Sequence, residues 1–145
     1  MVKVRPFQFT DRYDLEKLVN SSYEERKMEP PSNQKIIDMI GFYTSFPQCG
    51  RICILTFNKD IIGYVTVLNR WELYLGKISL RIDELYIHKN YRKYKPEINL
   101  VEFLLKQEKI ASIAIRLDRY LSKKVFKFFN FERDFGPYFI KKIEE

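Results

Sequence analysis

Arg92, Lys93 and Lys95 put three cations into four positions, directly ahead of Pro96 and an apolar helical pattern. Pro96 suits the first turn of a helix, because the amide it lacks would have no internal partner there. The first amides of a helix are unpaired, and its dipole places partial positive charge at that end. A strand that feeds a helix through such a loop outlines a phosphate site. The same residues also fit a solvated charged turn. His88, the one histidine in the chain, precedes the loop and is a candidate base near neutral pH.

The elements that must hold this loop follow from pattern. Ile82 to Ile87 reads as a strand, and Lys77 to His88 is long enough to pair with its neighbours. From Ile98 the apolar positions 98, 101, 104 and 105 recur at helical spacing. Upstream, Val2 to Phe7 alternates like a half-buried strand, with Pro6 at its end. Thr10 or Asp11 caps a helix with the stripe Leu15, Leu18, Val19 and Tyr23. Pro30-Pro31 breaks the chain. Ser32 then caps a second helix with the stripe Ile36, Met39, Ile40 and Tyr43. Arg51 to Phe57 and Ile61 to Leu68 are the clearest strands, joined by Asn58-Lys59-Asp60. Gly63 predicts a bulge or a close backbone approach, and Trp71 to Gly76 a connector. Ser112 to Leu117 reads as a strand and Leu121 to Phe129 as a short helix ending near Asn130. Phe131 to Phe135 and Tyr138 to Ile143 read as a closing hairpin. The order is β-α-α-β-β-β-α-β-α-β-β, an α/β (α+β) chain in one domain spanning residues 1–145.

Composition narrows the classes. At 145 residues and 46% hydrophobic content the chain can bury a core. No apolar run reaches the ~20 residues of a membrane span. The N-terminus lacks the pattern of a signal peptide, so the expected compartment is the cytoplasm. Cys49, Cys53 and His88 are too few for a structural zinc site, and no metal is expected. Cys53, on a strand, reads as a buried apolar residue. The net charge of +7 is uneven: residues 1–76 carry +1 and residues 77–145 carry +6. That excess suits an anionic cofactor or a nucleic acid. The cluster of Phe126, Phe128, Phe129, Phe131 and Phe135 reads as core packing rather than base stacking.

The run Glu84-Leu85-Tyr86-Ile87-His88-Lys89-Asn90-Tyr91-Arg92, with a helix in the same register, resembles the acetyl-CoA-binding core of the GNAT superfamily of N-acyltransferases. Members often read Glu-Leu-Tyr-Val-His-Pro-x-Tyr-Arg-Gly-x-Gly-x-Gly. The order of elements is also that of the GNAT fold, so the resemblance covers nearly the whole chain. It implies a mixed, mostly antiparallel sheet of six to seven strands flanked by about four helices. It implies a bulge in the central strand, which the sequence does not itself display. It also implies acetyl-CoA as cosubstrate, with Leu85, Tyr86 and Ile87 along the pantetheine arm. Arg92, Lys93, Tyr94 and Lys95 would lie at the diphosphate, and Arg119 at a CoA phosphate. Two family glycine positions fall on Lys95 and Glu97, and Glu97 brings a negative charge to that loop.

Transfer of an acyl group to an amine needs a base, a donor for the developing oxyanion and, for the thiolate, an acid. Glu84 is the candidate catalytic base, ahead of Asp83; strict alternation gives it the opposite face from Asp83 and Leu85. The oxyanion donor implied by the resemblance is a strand amide near Ile87. The family's late helix, with a pattern like Asn-x-x-Ala-x-x-Phe-Tyr-x-x-x-Gly-Phe, places Arg119 at the Asn, Ser122 at the Ala and Phe126 at the Tyr. Phe126 has no proton to give; Tyr120 and Tyr138 are the substitutes within reach. The expected function is therefore an N-acetyltransferase acting on a primary amine by direct attack in a ternary complex. The alternative is a weakened GNAT-like module that binds CoA or nucleic acid on its basic face. The acceptor would be chosen by Tyr13 to Phe46 and the closing hairpin. Tyr23, Glu24, Glu25 and Glu29 point to a cationic small molecule or peptide amine. No membrane partner is expected, and a homodimer stays open.

Overall fold

The computed structural model describes residues 1–107, 110–115, 127–131 and 141. Its described elements run β1 (Val2–Pro6), α1 (Arg12–Glu25), α2 (Asn33–Ser45), β2 (Gly50–Phe57), β3 (Asp60–Glu72), β4 (Lys77–Ile87), α3 (Pro96–Leu105) and β5 (Ile110–Ile115). Short 3-10 turns at Phe9–Asp11 and Lys89–Tyr94 lead into α1 and α3. The sheet is ordered β1-β2-β3-β4-β5. It is antiparallel up to β4, and β5 joins β4 in parallel after the crossover through α3. This is the expected mixed α/β class. Five strands lie among the described residues; most of the closing hairpin and most of the late helix fall outside them.

The helices form where their stripes predict. Leu15, Leu18 and Val19 bury the inner face of α1, and Ile36 and Ile40 that of α2. Ser32 caps α2, its Oγ accepting from the Lys35 amide at 3.3 Å. Asp11 precedes α1 but is spent elsewhere: its carboxylate accepts from the Gln8 amide at 2.8 Å and from Arg5 at 2.7 and 2.9 Å. The stripe of α3 is rotated from the expected one. Glu97, Leu100, Val101 and Leu104 are buried, whereas Leu105 is exposed. The run of consecutive apolar residues in α3 left its phase ambiguous, and the sheet selected the face containing Leu100. The turn from β2 to β3 is tighter than the three residues expected. Phe57 pairs with Asp60, and Asn58 and Lys59 both take positive φ, as a two-residue primed turn requires.

Two bulges control which side chains reach which face. In β3, Leu55 pairs with Gly63 and Thr56 with Ile61, leaving Ile62 as the extra residue. In β4, Val67 pairs with Ile82 and Thr66 with Glu84, leaving Asp83 as the extra residue. An extra residue reverses the alternation beyond it. Leu80 and Ile82 accordingly join the cluster under α3, but so does Leu85, while Tyr86 joins the cluster under α1 and α2. Gly63 sits beside the first bulge, where a Cβ would lie 2.5 Å from the Tyr86 carbonyl oxygen. Both readings of that glycine hold.

Candidate active site

Without the bulge at Asp83, strict alternation from Ile82 would carry Glu84 to the α3 face. With it, Glu84 turns toward α1 and α2. There the Tyr64 hydroxyl donates to its Oε2 at 3.2 Å, and the Tyr23 hydroxyl lies 3.5 Å from Oε1. The Glu84 amide donates to Thr66 Oγ1 at 3.0 Å, which pins the bulge. Burial and then the Glu84 charge push the Tyr64 phenol far above its ordinary pKa, so it stays a proton donor to that carboxylate. Burial also raises Tyr43, with further contributions from Asp83 and Glu84. Asp83 itself is exposed. Three tyrosines from α1, α2 and β3 thus surround one half-buried carboxylate.

Tyr23 links this carboxylate to open space. A cavity of about 540 Å³ is lined by Tyr23, Glu29, Pro30, Pro31, Ser32 and Lys35. It lies in the connection between α1 and α2, within the Tyr13 to Phe46 region expected to choose an acceptor. Glu29 reaches it, but Glu25 does not. Glu25 turns inward, accepting from the Tyr86 hydroxyl at 2.6 Å and from Arg92 at 2.7 Å. Arg92 also donates through Nε to the Ile87 carbonyl at 2.9 Å. Its guanidinium lies 5.6 Å from the centre of the Tyr86 ring. Sequence reasoning missed Tyr64 and Tyr43 as neighbours of Glu84. The signal available was weak: a large aromatic that alternates into a core must find a partner for its hydroxyl.

The residues expected to meet a cofactor are in one region, the end of β4 and the turn after it. Leu85 packs against the α3 cluster, while Tyr86 and Ile87 are buried. Among the described residues, β5 pairs with β4 only from Ile78 to Ile82. The basic loop is a 3-10 turn rather than an open cradle. His88 caps it, its Nδ1 accepting from the Asn90 amide at 3.2 Å. Tyr94 stacks on Phe57 with centroids 4.5 Å apart, which fixes the turn to the β2–β3 hairpin. Lys95 holds the left-handed conformation (φ 50) at a family glycine position. Its amide donates to the Arg92 carbonyl, and the Ile98 amide donates to the Lys95 carbonyl. Pro96 has no amide. The glycine-type cradle of amides is thus largely spent within the chain. What the turn offers an anion is side-chain charge, from the exposed Lys93 and the half-buried Lys95. Glu97 is 3% exposed, so its side chain is not displayed on the loop. A polyanion held by side-chain charge fits this turn. Arg119, Tyr120, Ser122, Phe126 and Tyr138 lie outside the described residues. Phe128, read as core, is exposed and meets Phe129 edge-on.

The sheet order, the crossover through α3 and the bulge in β4 decide the comparison. The fold is that of the GNAT acetyltransferases. The chain is similar over 99% of both lengths to the crystal structure of a possible acetyltransferase from Clostridium difficile, at 15% identity and a TM-score of 0.77. A GNAT family acetyltransferase from Staphylococcus aureus matches at 16% identity, 98% of both chains and a TM-score of 0.71. Glucosamine-6-phosphate N-acetyltransferase from Arabidopsis thaliana matches at 14% identity, 99% of both chains and a TM-score of 0.69. No protein-family model matches the sequence, and no curated protein does. Among the described residues of this GNAT fold, no group of three His, Cys, Asp or Glu is placed to hold a metal ion. No described helix is long and apolar enough to cross a membrane.

Proposed function

We propose that the protein is an N-acetyltransferase that moves an acetyl group from acetyl-CoA to a primary amine by direct attack within a ternary complex. The observation that carries this reading is the Asp83 bulge, which turns Glu84 to the same face as the Tyr23 cavity. A carboxylate there can take the proton an amine must lose, directly or through one water. Tyr23 and Tyr64 orient it, because two hydroxyl donors leave the carboxylate few rotamers. Bound acetyl-CoA would supply the activated acetyl thioester. Leu85, Tyr86 and Ile87 would line its pantetheine arm through their backbone, as an added strand is held. An amide near Ile87 would donate to the developing oxyanion. Lys93 and Lys95 would meet the diphosphate. Arg92, tied to Glu25 and to Ile87, would set the position of the turn, and Arg119 would meet a phosphate. Glu29, which shares the cavity with Lys35, would meet the ammonium of a cationic acceptor, a polyamine or a peptide amine.

Calorimetric titration with acetyl-CoA, followed by a panel of polyamines and peptides with free N-termini scored by CoA thiol release, tests this. The expected result is micromolar binding that weakens steeply with salt, because side-chain charge rather than amides holds the diphosphate. Lys93→Glu/Lys95→Glu should abolish it. Absence of binding at millimolar acetyl-CoA would overturn the reading.

A further inference from the structure

The hairpin of β3 and β4 runs on past the end of β2. The last β2–β3 pair is Gly50 with Leu68, and beyond it Arg70, Trp71 and Glu72 pair with Ser79, Ile78 and Lys77 of β4. The turn closes at Gly76, which takes positive φ and whose amide donates to the Glu72 carbonyl at 2.8 Å. Its side chains are apolar and uncovered: Trp71 is 61% exposed, Leu73 86%, Tyr74 97% and Leu75 56%. The same end of the sheet also exposes Phe46 and Leu105. Phe46 leads into the segment whose Cys49 carbonyl accepts from the Asn69 amide at 2.9 Å. Leu105 ends α3, and Phe103 of that last turn has its ring centre 5.9 Å from the guanidinium of Arg51, at the start of β2.

Apolar side chains gathered at one end of a molecule mark a contact surface, and the charges beside them say which kind. Arg70 and Glu72 lie 3.5 Å apart and neutralise each other, and Glu72 Oε1 also accepts from Ser79 Oγ at 3.1 Å. Lys77, Arg81 and Lys106 then stand exposed against Glu102 among the described residues. Apolar side chains flanked by surplus cations match a bilayer with anionic headgroups. Trp71 and Tyr74 carry the amphipathic rings that settle at headgroup level. A stable protein partner needs a complementary area of about 800 Å² per side. Leu73, Tyr74 and Leu75 are consecutive on a turn, so they splay and form no such flat patch. Transfer into lipid is non-directional and needs no fit. Seating on a membrane surface also needs no spanning segment, so the expectation of no membrane partner is revised at this tip. We propose that the β3–β4 tip seats in the surface of an anionic membrane. Trp71, Leu73, Tyr74 and Leu75 enter the interface, and Lys77, Arg81 and Lys106 meet the headgroups. At about 3.3 Å per residue, β4 sets the turn carrying Lys93 and Lys95 roughly 30 Å away, at the opposite end of the strand.

Trp71 is the one tryptophan in the chain, so its fluorescence reports on the tip alone. Vesicles of equimolar phosphatidylcholine and phosphatidylglycerol should shift its emission to the blue, and lipid brominated on the acyl chain should quench it. The protein should co-sediment with these vesicles, and at least about tenfold more weakly with phosphatidylcholine alone or in high salt. Leu73→Asp/Leu75→Asp, at exposed positions, should abolish both signals and leave the circular dichroism spectrum unchanged. Acetyl-CoA affinity measured on the same variant should equal that of wild type, which keeps this test separate from the acetyltransferase reading. Lys77→Glu/Lys106→Glu should weaken binding to the anionic vesicles about tenfold or more. Unchanged Trp71 emission with anionic vesicles would overturn the proposal. So would binding that survives Leu73→Asp/Leu75→Asp. Equal binding to neutral vesicles would overturn the role of the cations. A blue shift produced by protein concentration alone, with the mass of a dimer, would give the tip to a second copy and overturn the membrane.

Discussion

The two faces of one sheet are built from different chemistry. Under α3 the buried hydrophobic cluster is Cys53, Leu55, Ile62, Val65, Val67, Leu80, Ile82, Leu100 and Leu104, aliphatic apart from the cysteine, with Glu97 of α3 buried as well. Under α1 and α2 the buried cluster includes Tyr64 and Tyr86, and Tyr23 and Tyr43 pack against it. Each hydroxyl on that face needs a partner. Glu84 serves Tyr23 and Tyr64, and Glu25 serves Tyr86. The aliphatic face supports. The tyrosine-rich face carries a hydrogen-bonded polar network, which fixes the orientation of its side chains. The same strands make both, and the two bulges decide which side chain goes where.

Separating the faces by substitution sharpens this contrast. The largest expected stability effect is Leu100→Ala, fully buried under α3: about 3 kcal/mol by chemical denaturation. Acetyl-CoA affinity and turnover per folded molecule should stay near wild type. A turnover loss as large as the stability loss would merge the two faces.

Asp11→Asn, at the mount of α1, should cost about 2 kcal/mol, as expected for charge-assisted bonds. The sign of its pH dependence follows from the lowered pKa. The hydrogen bond from Arg5 holds the carboxyl below its ordinary 3.8, aided by the Gln8 amide and opposed by burial. The stabilisation is therefore complete above that ordinary value and is lost as pH falls through the lower folded one. Denaturation midpoints from neutral to acid pH should show wild type and Asp11→Asn converging only at the acid end. Tyr64→Phe should be smaller, about 1 kcal/mol, but should lower kcat more than Leu100→Ala does, because it releases Glu84. The smallest effect is a gain. Lys59→Gly, at a positive-φ turn position on neither face, should raise the unfolding free energy by under about 1 kcal/mol.

Much of the fold could be read from pattern because the stripes of α1 and α2 and the alternation of β2 and β3 each have one reading. The phase of α3 did not, since Ile98, Leu100, Val101, Leu104 and Leu105 leave two faces apolar. β3 was read too short because Asn69, Arg70 and Trp71 look like a loop, though they pair with β4 as far as Glu72. Glu84 was legible as a candidate, but its face was not, because a bulge is a backbone event that no side chain in Ile82 to Leu85 announces. The partners of Arg92 were also hidden: Glu25 is 67 residues away and looked like an acceptor-side acid. Resemblance supplied the fold. The closing of the amide cradle, through Lys95 and Pro96, appears only in the hydrogen bonds.

The central claim is that the Asp83 bulge presents Glu84 to an acceptor amine as its base. Turnover of Glu84→Gln with the best amine, at saturating acetyl-CoA and with acetyl-CoA affinity measured on the same sample, tests it most directly. The account predicts a fall in kcat of about 10²-fold or more, the ordinary worth of a positioned base, with the affinity unchanged. An unchanged kcat, or a loss explained wholly by weaker acetyl-CoA binding, would contradict it.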